Sequence, residues 1–363
     1  MFSFLLSQRP LLLSCTLCCF PIIAQANDNI PIDLEGEYYA FGAVVDTVQP
    51  HASRASAAGM ARMSVQWAAT PNGRFALTLD HRHGFTNPPP GHWLPQSTGI
   101  MSLTGAPFSD QGWRLTHGYW EQTGLSDRWY AMVGYLDSTD FIDLYPYGSP
   151  YSGFSNVQFS TGSGTIVLPD EASIGGMIHH QMGAHYYLQL NVSDARADSS
   201  HPWQRAEAVF RERRTFEAVE LGWVAEPSQA LAQQLHVTGW RSEGALEQPQ
   251  SQEGLSASWN GTLGAWTPFL RGGVAQGSQV LYSSSLVAGT GYQGIGPGIM
   301  GMALGQATSN RDGHSIHNAE FFYRLPLGPL TLTPNLQYVE ETSARAGVHH
   351  AWVMGLRARL GAT

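Results

Sequence analysis

The chain has 363 residues, a net charge of −9 and no lysine, so all of its fixed positive charge is arginine. Only 13% of residues are charged, about half the ~25% of ordinary soluble domains. The acidic balance rules against nucleic acid as a partner. No apolar run after residue 26 approaches the ~18 residues of a membrane helix.

The N-terminus reads as a secretory signal over residues 1–26. Arg9 is its one charge, Leu11 to Ile23 is the apolar run, and Ala24-Gln25-Ala26 is a small-x-small cleavage site. The mature chain then starts at Asn27, and 27–363 is expected to form one domain. Cys15, Cys18 and Cys19 all fall in the signal, which leaves no disulfide and no thiolate metal site.

From there the sequence is a succession of alternating segments of about ten residues, the length a tilted membrane strand needs. Expected strands are 36–46, 58–69, 73–82, 112–123, 128–137, 171–181, 184–194, 216–225, 231–241, 253–260, 264–276, 285–293, 298–307, 314–325, 328–339 and 349–360. Met63, Val65 and Trp67 oppose Arg62, Ser64 and Gln66. Phe75, Leu77 and Leu79 oppose Arg74, Thr78 and Asp80. At the end of the chain Leu330, Leu332, Leu336 and Tyr338 oppose Thr331, Thr333, Asn335 and Gln337, and Trp352, Met354 and Leu356 oppose Arg357 and Arg359. Such a period-2 pattern needs an apolar medium on one side and water on the other. Segments 112–123 and 128–137 alternate poorly.

Connections alternate in length as well. Short ones carry turn residues, such as Pro71-Asn72-Gly73 and Asn260-Gly261. Long ones run over 47–57, 83–111, 138–170, 195–215, 242–252, 277–284, 308–313 and 340–348. The expected fold is all-β: a transmembrane antiparallel barrel of about sixteen strands, with short periplasmic turns and long extracellular loops. A barrel of that size encloses water.

Several fragments resemble the OprB-type carbohydrate-selective porins. They are Gly118-Tyr119-Trp120-Glu121-Gln122, then Val133-Gly134-Tyr135-Leu136-Asp137 with Asp140-Phe141, then Phe154-Ser155-Asn156. The run Ala319-Glu320-Phe321-Phe322-Tyr323-Arg324 through Pro334-Asn335-Leu336-Gln337-Tyr338 to Gly355-Leu356-Arg357 resembles that family's C-terminal signature. The resemblance implies a sixteen-stranded channel for passive diffusion of sugars across the outer membrane of a Gram-negative bacterium. It also implies outer-membrane lipid and lipopolysaccharide as surroundings, with a homo-oligomer left open.

A sugar channel needs a constriction, charged groups to replace hydroxyl–water hydrogen bonds, and aromatic faces. Loop 138–170, with Asp143, Tyr145, Tyr147 and Tyr151, is the expected constriction. Mid-strand charges avoid lipid, where arginine costs ~2–4 kcal/mol at the midplane. The pore-lining and solute-contact candidates are therefore Arg62, Arg74, Asp80, Glu121, Asp137, Asp140, Arg271, Glu320, Arg324, Arg357 and Arg359. Tyr39, Phe41, Trp67, Trp223, Phe321, Tyr323, Tyr338 and Trp352 are expected to face lipid. The arginines keep open a channel for organic anions or other small solutes. A membrane-embedded barrel enzyme is the weaker alternative: Gly-x-Ser-x-Gly, His-Glu-x-x-His and a phosphate-binding loop are absent, and His81 with His83 offers only a two-residue face. No cofactor or metal is expected.

Overall fold

Alternation along the chain becomes an inside and an outside in a computed structural model that describes residues 32–124, 128–169, 172–244, 250–342 and 347–361. The signal reading, its cleavage site and the three cysteines lie outside the described residues. Sixteen strands follow in order: β1 (Ile32–Val45), β2 (Ala55–Thr70), β3 (Gly73–Gly84), β4 (Gly112–Thr123), β5 (Trp129–Leu136), β6 (Ser173–Met182), β7 (Tyr186–Asp194) and β8 (Thr215–Val224). The second half holds β9 (Gln234–Ser242), β10 (Gln252–Asn260), β11 (Trp266–Gln276), β12 (Tyr282–Tyr292), β13 (Ile299–Ser309), β14 (Ser315–Leu327), β15 (Leu330–Glu341) and β16 (His350–Gly361).

Each strand pairs antiparallel with its sequence neighbour, and β1 pairs with β16 to close the barrel. Closure gives every strand a neighbour on both sides, as a lipid environment demands. The outer wall is apolar around the whole circumference. Met63, Val133, Ile178, Leu221, Leu270, Leu304 and Met354 are among its exposed residues. A continuous band of this kind has no place on a soluble monomer. Trp67, Trp129, Tyr186, Trp259 and Trp266 stand exposed near the short-turn end, where a membrane interface takes amphipathic rings.

Poor alternation in 112–123 has a local cause. The β3–β4 register shifts between Thr78 and Leu79, which pair with His117 and Leu115. This bulge switches the inward residues of β4 from Arg114 and Thr116 to Tyr119 and Glu121, so neither parity holds across the strand. Pairing of β4 with β5 also stops at Gly118–Tyr135. Above that point the 195–214 loop takes over, with Leu115 N donating to Ser199 O at 3.0 Å.

The interior is not simply water. Two loops fold into it. Loop 85–111 carries a short helix, α1 (Pro90–Thr98), and loop 137–172 carries three 3-10 turns. Trp93, Leu94, Ile100 and Phe108 of the first pack on Tyr39, Phe41, Val339 and Val353 of the wall. Tyr145, Tyr147, Phe154 and Phe159 of the second pack on Phe269, Val287 and Phe322. Burial of each large side chain contributes about 1.5–3 kcal/mol, so both loops are held rather than draped.

This corrects the expectation for Tyr39 and Phe41, which are 1% exposed and face inward, not toward lipid. In β1 both faces are apolar because the inner one packs on a loop. Alternation therefore carries no side information there. Phe41 stacks on Phe108 at 5.3 Å. The other expected lipid-facing aromatics lie on the outer wall.

Candidate permeation path

Loop 137–172 crosses the lumen by binding charged groups on the wall. Its firmest tether is Asp143. Asp143 pairs with Arg271 and His236, the latter at 2.9 Å, and accepts Gly162 N at 2.7 Å. Its own amide donates to Glu220 Oε2 at 2.8 Å. Burial works against the ionised carboxyl, yet Arg271 outweighs it and holds Asp143 below the usual carboxylate range. Arg271 also donates to Ser160 O at 2.7 Å and lies 4.0 Å above the Tyr145 ring.

Further round, Glu320 accepts the amides of Ser155 and Asn156 at 2.8 and 2.9 Å. Arg357 donates to Pro150 O at 2.7 Å and Gly153 O at 2.9 Å. Arg324 reaches Ser152 O at 3.4 Å. Arg271, Glu320, Arg324 and Arg357 thus face inward, and each binds the loop.

Loop 85–111 joins the same layer. Thr104 bridges Asn156, and Asn156 Nδ2 donates to Ser102 Oγ at 2.9 Å. Gln337 donates to Thr104 Oγ1 at 2.8 Å, and Asn318 to Gln158 Oε1 at 2.7 Å. The inner face of β13 leaves room for this. A Cβ at Gly305 would lie 2.7 Å from Gln158, so the glycine-rich wall is where a loop side chain seats.

A second group of inward charges lies along β1–β4 and the start of loop 137–172. Arg62 grips Asp80 through two hydrogen bonds of 2.8 Å, with Thr116 Oγ1 at 2.8 Å and Arg82 at 3.4 Å on the same carboxylate. Tyr151 lies beneath Arg62, 4.8 Å from ring centre to guanidinium. Opposite, Asp140 lies 3.3 Å from His117, and its side chain is 43% exposed deep inside the barrel, so water reaches it. Burial opposes its charge, but the His117 contact lowers its pKa. Asp137 caps the first 3-10 turn by accepting Thr139 N at 3.0 Å. Burial, reinforced by the neighbouring Asp140 charge, raises its pKa.

Toward the short-turn end this group continues with Arg74–Glu121 at 2.7 Å and Arg359–Glu37, with Arg359 Nε–Oε1 at 2.8 Å. All eleven candidate residues thus lie on the inner wall or on the loop within it, in two sets. Arg62, Arg74, Asp80, Glu121, Asp137, Asp140 and Arg359 form the second group, and the other four hold the loop. Arg82, Glu37 and His117 also belong to the second group and were not among the candidates. Arg82 stands two residues from Asp80 on the same face and was legible in the parity. Glu37 shares a face with Tyr39, so misplacing one hid the other.

A family model, "Carbohydrate-selective porin, OprB family", matches residues 264–361. That match spans the C-terminal strands, β11 to β16. The fold agrees along the rest of the barrel. A high-pH structure of OprB from Pseudomonas putida superposes with TM-score 0.71 at 13% identity, covering 91% of this chain and 94% of that one. An anion-selective porin from Comamonas acidovorans gives 0.57 at 8% identity, over 91% and 99%. A Rhodopseudomonas blastica porin mutant gives 0.53 at 12%, over 91% and 99%. At these identities the likeness is one of fold. No curated protein matches the chain in sequence. The molecule is thus a barrel of porin fold whose interior is partly filled by its own loops.

Proposed function

We propose that the chain is a passive outer-membrane channel for mono- or small oligosaccharides, which pass through the lane between β1–β4 and the 137–141 segment. The observation that carries this reading is the pairing of charge along that lane. Arg62 faces Asp80, Arg74 faces Glu121 and Arg359 faces Glu37. Paired groups present donors and acceptors to hydroxyls while their fields largely cancel. That suits a neutral, hydrogen-bonding solute. Tyr151 and Phe141 border the same lane as apolar faces for a pyranose ring.

The mature chain runs from a cleavage near Ala26, and 27–363 acts as one domain in a Gram-negative outer membrane among lipid and lipopolysaccharide. It works by diffusion, without a catalytic step. Liposome swelling tests the reading. Vesicles carrying the protein should swell in isosmotic glucose or maltose faster than empty vesicles, and R62A with D80A should alter that rate. Equal swelling with and without protein would overturn it.

An organic-anion channel is the second reading, favoured by Arg82. Its Nε is buried without a hydrogen-bond partner, and its one contact to Asp80 is long and shared with Arg62. Reversal potentials in a salt gradient separate the two. Near-zero selectivity supports the sugar lane, and strong anion preference supports the second reading.

A further inference from the structure

At the long-loop rim, away from the lane, two buried carboxylates share one poorly placed cation among the described residues. Glu341 ends β15, and Asp312 and His314 lie in the adjoining β13–β14 turn. The side chains of Glu341 and Asp312 are 0% and 3% exposed. Their counter-charge is Arg311, whose side chain is 44% exposed and reaches them only at 3.4 and 3.2 Å. Compare the two 2.8 Å bonds between Arg62 and Asp80. Among the described residues, two buried charges thus face one largely solvated guanidinium, and leaving such a charge unpaired is costly.

His314 completes the set. Its Nδ1 is buried and makes no hydrogen bond. It points at both carboxylates, 3.6 Å from Asp312 Oδ1 and 3.9 Å from Glu341 Oε1. Those separations are too long for hydrogen bonds. They approach the spacing of ligand atoms around one ion: a four-coordinate ion with bonds of ~2.0–2.2 Å sets its ligands ~3.3–3.6 Å apart. One atom from each of the three residues falls within 4.8 Å of the others.

The geometry points to a divalent transition-metal site of one imidazole and two carboxylates, Asp312, His314 and Glu341, of the Zn2+ class. The imidazole favours such an ion over Ca2+ or Mg2+, which take oxygen ligands. Arg311 is the placeholder, and metal binding displaces it outward into solvent, where most of its exposed side chain already lies. Glu341 also accepts Met101 N through its other oxygen at 2.8 Å. The ion would thus bind a carboxylate that anchors loop 85–111.

The test is calorimetric titration of ZnCl2 into the untagged mature barrel in detergent, with folding of every variant checked by its β-sheet circular dichroism. One saturable equivalent is expected. H314Q should weaken it at least about tenfold, as loss of a ligand does. R311A should tighten it at least threefold, because the competing cation is gone. H201Q, on the 195–214 loop, should bind as the wild type does. No saturable binding, binding unchanged in both H314Q and R311A, or preference for Ca2+ over Zn2+ would each overturn the assignment. The sign of the R311A effect separates a metal site from a structural ion pair, which that substitution could only weaken.

Discussion

Three groups, Arg271, His236 and the Gly162 amide, bind the Asp143 carboxylate, and its charge is what they bind. Removing it in D143N leaves Arg271 buried beside a neutral amide, a loss of about 3–5 kcal/mol in local stability for a broken buried pair. The expected result is a looser loop: faster proteolysis within 143–165 and larger, noisier single-channel currents. The same tether has a pH dependence of known sign. Asp143 is held below the usual range, so its stabilisation is fully present above ~4, the unfolded value. It is lost only as pH falls through the still lower folded value. The Asp143 tether should therefore stay intact down to about 4 and loosen only below that, with a further rise in current there. Asp137 behaves oppositely, because burial and Asp140 raise its pKa. It is protonated at a higher pH than an ordinary aspartate. As falling pH protonates it, reversal potentials should move toward anions, and an unchanged potential would contradict the placement of Asp137 in the lane. Arg62 and Asp80 were legible as inward residues because a strand has only two faces and lipid takes the apolar one. That Arg62 borders the lane while Arg271 holds the loop was not legible. The distinction depends on where a loop more than a hundred residues away in sequence comes to rest.

Among the elements, strands read clearly and inner loops did not. Sixteen segments of alternating residues correspond to sixteen strands, with ends differing by a few residues. Hydrogen bonding between neighbours in sequence makes each strand a local problem. Where alternation failed, in β4, the bulge opposite Thr78 and Leu79 is the reason. Loop 85–111 reads as an external connection by its position between two strands. Its apolar content, with Trp93, Leu94, Ile100 and Phe108, was the available signal that it is buried, since a solvated loop has no use for four such residues. Loop seating is open to a direct test at Gly305. A G305V side chain would enter the space of Gln158, breaking its bonds to Ser285 and Asn318. We expect the barrel to fold, because valine suits a strand, and conductance to increase. Unchanged conductance would mean that the loop does not limit flow.

For the whole molecule, the closed ladder and apolar outer wall account for membrane residence. The two inner loops account for a bore far narrower than sixteen strands alone would leave. Size alone suggested a wide aqueous channel. The structure instead packs loop 137–172 against β8–β16 and loop 85–111 against β1, β2, β15 and β16, with paired charges lining β1–β4. In the proposed sugar lane, selectivity follows from those paired charges, not from the net charge of the chain. The most direct measurement is single-channel conductance in a planar bilayer, titrated with neutral sugars and with organic anions. The account predicts a small, steady, weakly ion-selective conductance that sugars reduce in a saturable way, with the sugar effect weakened in R62A. Conductance insensitive to sugar but strongly anion-selective, or no conductance from a well-folded barrel, would contradict it.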